Sequence, residues 1–295
     1  MVPALDWSDV FSFQDYGALL QLVGNSVVAG AVLGIVGGLI GVFIMQRDMA
    51  FAVHGVSELS FAGAAAALLF GGSVVMGSLV GAVAAAVLIG LLGSRARDRN
   101  SIVGVLMPFG LGLGILFLSL YEGRSANRFS LLTGQIVSVS SPDLGWLIGI
   151  AVVVLVGLLV VWNPLRFDSL DGQAAAARGV PSSAVSIVFM LLLGLIVAVA
   201  VHIIGALLVM ALLVTPAAAA MRVSHGPLAV PLLAAVFGFV SAVGGILLAI
   251  AGTLPVSPYI TTISFLIYVV CRLIAWRRDR AIAVSAAQEP LRVAA

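Results

Sequence analysis

Apolar residues occupy this chain in long unbroken blocks, without the period-two alternation of strands and with polar residues collected into short gaps between blocks. A helix needs about 20 apolar residues to cross a bilayer. The blocks predict spans at roughly 19–45, 50–71, 73–93, 102–120, 144–163, 184–202, 204–221, 229–251 and 257–275. The region 184–221 divides either into two spans or into one span and a re-entrant helix. The pattern therefore predicts an all-α polytopic membrane protein with nine or eight transmembrane helices.

Composition agrees with that pattern and narrows the chemistry. Of 295 residues, 62% are hydrophobic and only 9% charged, far from the roughly one-quarter charged content of soluble domains. All fourteen basic residues are arginine, so the chain has no Walker A lysine and is not itself a P-loop ATPase. A single cysteine, Cys271, excludes an internal disulfide and cysteine-based metal clusters. Residues 1–18 hold Asp6, Asp9 and Asp15 and no basic residue, unlike the positive start of a signal peptide, so the first span is expected to be retained. Twelve of the fourteen arginines fall on one side if the N-terminus is outside, with Arg124 and Arg128 as the two exceptions. The expected arrangement is a plasma-membrane protein with an external segment 1–18, a membrane domain 19–275 and a cytoplasmic tail 276–295, N-terminus out and C-terminus in.

Local features mark packing and turns. Gly30, Gly34 and Gly38 in the first span form a smooth face for a close helix neighbour. Gly110, Gly112 and Gly114 after Pro108 predict a locally irregular fourth span. The stretch 121–143 is too polar for a span and too apolar for a solvated linker, which suits a partly inserted half-helix. In the connection 163–183, Asp168 or Ser169 is placed to cap a helix over Ala174–Ala177, ended by Arg178 and a left-handed Gly179. Pro216 predicts a kink in the seventh span, either beside a translocation path or simply at a helix end. The tail after Arg272 reads as basic and then weakly structured, with no site.

The chemistry concentrates in Met49–Gly63. His54 and Glu58 are four residues apart, on one face of a helix, and Glu58 is the one acidic residue that falls well inside a span. A carboxylate there costs roughly 2.5–3.5 kcal/mol on insertion scales. Imidazole with carboxylate suits a first-row divalent metal, zinc or manganese. Two ligands do not close a site; Ser57, Ser60, water, another span or the same pair from a second subunit would complete it. The competing reading is a buried hydrogen bond that fixes helix packing. His202, at the end of the sixth span, is either a further metal contact or a hydrogen-bonded interfacial histidine. His225, in the turn Ser224–Pro227, reads as solvated.

Taken in order, these segments resemble the permease subunits of zinc, manganese and iron ABC importers. Met49–Gly63 is similar to that family's second-span signature, with imidazole and carboxylate exchanged along the face and Ala62 in place of proline. Gly134–Leu144 is similar to its Gly-Asn-Ile-Leu-Ser-Val-Ser segment, with Gln135 for asparagine. Phe167-Asp168 through Ala177-Arg178-Gly179-Val180 is similar to its coupling segment, and Gly205–Ala220 to its run ending Pro-Ala-Ala. The resemblance implies a type II ABC importer-like fold. It also implies a homodimer in the lipid bilayer, a separate cytoplasmic ABC ATPase subunit docked on 167–180, and an extracellular metal-binding protein. On that alignment Asp168, Asp171, Ala177, Arg178 and Gly179 couple to the ATPase, and His54 and Glu58 hold a transported divalent metal, zinc or manganese more than iron. No permanently bound cofactor, no nucleic acid and no catalysis by this chain is expected. The alternatives are a proton-coupled secondary transporter and an ABC permease for a metal chelate such as a siderophore or cobalamin. Against the first, residues 150–275 contain no second His-x-x-x-Glu.

Overall fold

The computed structural model of the chain describes residues 16–93, 96–123, 134, 136, 138–252 and 255–293. Among these residues twelve helices follow in order: α1 (Tyr16–Leu22), α2 (Gly24–Gln46), α3 (Ala50–Leu69), α4 (Val74–Leu92), α5 (Ala96–Leu120) and α6 (Ser141–Leu170). The remainder are α7 (Gly172–Ala177), α8 (Ser182–Ile204), α9 (Ala206–Leu213), α10 (Thr215–Val223), α11 (Ala229–Ile250) and α12 (Val256–Val293). Eight of them, α2 to α6, α8, α11 and α12, are long and apolar enough to cross a membrane.

Contacts at the helix ends define two poles. At one, Asn25 of α2 donates to the carbonyl of Val139 (3.3 Å), His202 of α8 meets Asp143 of α6 (3.1 Å), and Gly134 lies against the backbone of Ile204 and Gly205. At the other, Arg47 pairs with Asp168, and Gln46, Trp162, Arg166 and His225 line one small cavity. The segment from Gly205 to His225 thus runs from the Asp143 pole to the Arg47 pole, adding a broken ninth traverse to the eight continuous ones. Gly205 makes the entry turn with φ 82° and ψ 155°, a conformation essentially reserved for glycine. The break falls at Val214, just ahead of Pro216, which has no N–H to give the carbonyl four residues back. That carbonyl is Leu212's; the adjacent carbonyl of Ala211, at the helix break, accepts the Ser264 hydroxyl of α12 (3.3 Å), so a neighbouring helix satisfies part of the interruption.

Small residues set the helix spacing. The Gly30, Gly34 and Gly38 face of α2 meets Ala242, Gly238 and Ala234 of α11, as its spacing predicts. Gly63 and Gly77 bring α3 and α4 together in the same way, and there the Ser60 and Ser78 hydroxyls lie 3.1 Å apart in the buried seam. Pro108 and its glycines do not disrupt α5, which is continuous. Gly110 and Gly114 serve close approach instead, standing against the backbone of Glu58 and Leu59 and the ring of Phe61. The α12 helix continues to Val293, where a weakly structured tail is expected from sequence; its Ala- and Arg-rich composition favours propagation. Residues 124–133, 135 and 137 of the 121–143 stretch, Gln135 and much of the expected half-helix among them, lie outside the described residues; the described positions 134, 136 and 138–140 are not helical.

Candidate functional site

Helix α3 carries the His54–Glu58 pair. It packs against α4, α5, α8 and α9, so its central residues Val53, Val56, Ser57 and Phe61 are fully buried. A stripe at helical spacing runs inward along one edge: Phe51 is exposed, the His54 side chain is 27% exposed and that of Glu58 only 4%. His54 Nε2 and Glu58 Oε1 are 3.7 Å apart, an ion-pair separation only for a protonated imidazole and too far for a hydrogen bond. The second oxygen, Glu58 Oε2, and the second ring nitrogen, His54 Nδ1, are both buried and have no hydrogen-bond partner. Ser57 turns its hydroxyl back to the carbonyl of His54 (2.8 Å) and is spent on the helix. A buried carboxylate oxygen and imidazole nitrogen left unsatisfied are costly. They form a half-built polar site that an additional positive ligand would complete. Among the described residues no third His, Cys, Asp or Glu joins them.

His202 stands apart from this pair, at the opposite pole. Its Nε2 lies 3.1 Å from Asp143 Oδ1, and Asp143 in turn accepts the Ser140 hydroxyl (2.5 Å) at the start of α6. His225 is exposed, 3.3 Å from an Arg278 nitrogen.

The 167–180 segment forms a capped helical projection. Asp171, rather than Asp168 or Ser169, caps α7: its Oδ1 accepts from Gln173 N (3.0 Å) and Ala174 N (2.9 Å). The reason is that α6 stays helical to Leu170 and the Asp168 carboxylate is taken by Arg47, 2.6 Å away. At the other end Gly179 has φ 81°, its N–H bonds Ala176 O, and Val180 N bonds Ala175 O, which closes the turn. Ala175 is buried beneath α7, the Arg178 guanidinium lies 5.5 Å from the Phe167 ring, and Gln173, Ala176, Ala177 and Gly179 face outward.

Sequence reasoning missed two partners. Arg47 is a side-determining charge in the sequence, yet it binds Asp168, Ser169 and Ser186 together; Asp143 carries no mark there of its contact with His202. Each pair joins residues far apart in the chain, and no local spacing announces it.

A bundle of membrane-length helices with an acidic–imidazole pair on a central helix and a capped projection at one pole defines a polytopic transporter-type membrane protein. A family model described as the ABC 3 transport family matches residues 20–275, and the chain belongs to that family. It is 30% identical to the manganese transport system membrane protein MntC of Halalkalibacterium halodurans over 240 residues, 81% of this chain and 82% of that one. With the manganese import system permease protein ScaB of Streptococcus parasanguinis it shares 26% identity, covering 85% of this chain and 90% of the relative. Its fold is similar to that of a chain in the structure of PsaBC from Streptococcus pneumoniae in complex with Fab. The TM-score is 0.78 at 24% identity, covering 88% of this chain and 95% of that one.

Proposed function

We propose that this chain is the membrane permease subunit of an ATP-driven importer of a divalent transition metal, manganese or zinc. The observation that carries the proposal is the Glu58 carboxylate, buried within α3 beside His54 with one oxygen unsatisfied. Two ligands give a site loose enough to release its ion, and the exposure of Phe51 and His54 leaves room for a second copy of the chain to complete it. The names of the relatives MntC and ScaB favour manganese. ATP hydrolysis belongs to separate subunits that dock on the outward face of α7, and an external binding protein delivers the ion at the Asp143 pole. The arginine distribution supports a cytoplasmic Arg47 pole and C-terminus.

Uptake of manganese, zinc and iron, measured separately in cells expressing Glu58→Gln or His54→Ala at normal levels, tests the reading. Loss of uptake of one metal is expected in both. Wild-type uptake of all three by both variants would sink it.

A further inference from the structure

The Arg47–Asp168 junction has a geometry that neither the metal site nor the docking helix requires. Arg47 lies in the short turn between α2 and α3, three residues ahead of the helix that carries His54 and Glu58. Its Nη1 reaches Asp168 Oδ2 (2.6 Å) and Ser169 Oγ (3.5 Å) on the last turn of α6, and its Nη2 reaches Ser186 Oγ (2.5 Å) at the start of α8. Those two helix ends are the shoulders of the α7 projection, so one guanidinium grips both. Arg99 of α5 donates to the Arg47 carbonyl (2.8 Å), and α5 is the helix whose Gly110 rests on Glu58. The pair is sheltered, with side-chain exposures of 10% and 7%. Beside it, between the ends of α2, α4, α5, α6 and α8, lies a cavity of about 670 Å³, while the Arg47 guanidinium itself lies 5.9 Å from the Phe189 ring.

We propose that Arg47 is a positioning residue that transmits movement of the α7 projection to helix α3, and that Asp168 and Ser186 are its contacts on the two shoulders. The inference rests on the function proposed above. A fork clamped to both shoulders follows their displacement as a unit, and a planar guanidinium with several donors is suited to that. Severing it leaves the docking helix and the metal pair in place and uncouples one from the other.

The test uses the permease assembled with its ATPase subunits in lipid vesicles, with manganese(II) as the transported ion. Co-purification of the ATPase, ATP hydrolysis and manganese uptake are measured for Asp168→Asn, Arg47→Gln and Ser186→Ala. The expected result is an assembled complex that hydrolyses about fivefold or more ATP per ion transported in the first two, with a smaller rise for Ser186→Ala, since coupling energies start near that factor. An unchanged ratio, with uptake and hydrolysis falling together, would overturn the proposal. Where Asp168→Asn fails to assemble, Ser186→Ala decides by the same ratio, and failure of both to assemble reduces the junction to a structural staple. The two readings fail separately. Wild-type uptake of manganese, zinc and iron by both Glu58→Gln and His54→Ala sinks the metal site; an inactive Glu58→Gln with an unchanged ratio in Asp168→Asn sinks only the transmission role.

Discussion

Replacing Gly34 with alanine adds one methyl group at the tightest kind of contact in this bundle. The new carbon would lie 2.5 Å from the Gly238 oxygen, 2.6 Å from the Gly238 carbonyl carbon and 2.8 Å from Phe239 N, where ordinary contact begins at 3.4 Å. All three are backbone atoms, so no side chain can rotate away and α2 must move from α11 by nearly an ångström. Overpacking of this kind costs about 1–3 kcal/mol. The better helix propensity of alanine returns roughly 0.5–1 kcal/mol, which leaves a net loss of about 2 kcal/mol because the obstruction is rigid. Gly112→Ala is the control, since nothing lies within 4 Å of its added carbon and it keeps only the propensity gain. Unfolding of both variants in mixed micelles, followed by tryptophan fluorescence against increasing denaturing detergent, reads the difference directly. Equal stability of the two, within about 0.5 kcal/mol on the propensity scale, would refute the claim that backbone proximity sets the α2–α11 spacing.

Two further expectations concern other levels of the fold. Asp171→Ala removes both cap bonds of α7, at a cost of about 1 kcal/mol. Amide exchange over 172–177 should then speed roughly fivefold, and unchanged exchange would mean that the buried Ala175 alone holds the helix. Phe43, 2% exposed, makes edge contacts with Trp162 (5.0 Å between centroids) and Phe189 (6.3 Å). Lipid is as apolar as this core, so Phe43→Ala forfeits packing more than burial and should cost about 3 kcal/mol, the low end for such truncations. The same micelle unfolding measures it, and a loss below about 1 kcal/mol would show that the neighbours collapse into the gap.

Much of this architecture is legible in the residues themselves because a membrane helix must satisfy its own backbone, so its length is written as one apolar block. The glycine ladder at 30, 34 and 38 is equally readable, as is the left-handed close at Gly179. Pairings across the fold are not readable in this way. Asp168 has every local qualification of a cap, and only Arg47, 121 positions away, diverts it and leaves the role to Asp171. The glycines after Pro108 look like a break in isolation and become a fitted surface once Phe61 is placed opposite. The pair at His54 and Glu58 was visible as a chemical anomaly, while its unsatisfied atoms emerge only with coordinates.

Helix α6 has 30 residues and so extends about 45 Å, against a hydrocarbon layer of about 30 Å. The helix is thus about 15 Å longer than that layer, and α7 follows directly on its Asp168 end like the blade on an oar. A tilt of roughly 5° about its midpoint would swing that end by about 2 Å, enough to remake or break a hydrogen bond at Asp168. A small rotation of α6 about its midpoint is thereby enlarged at its Asp168 end, where Pro164 removes one backbone hydrogen bond from the closing turns.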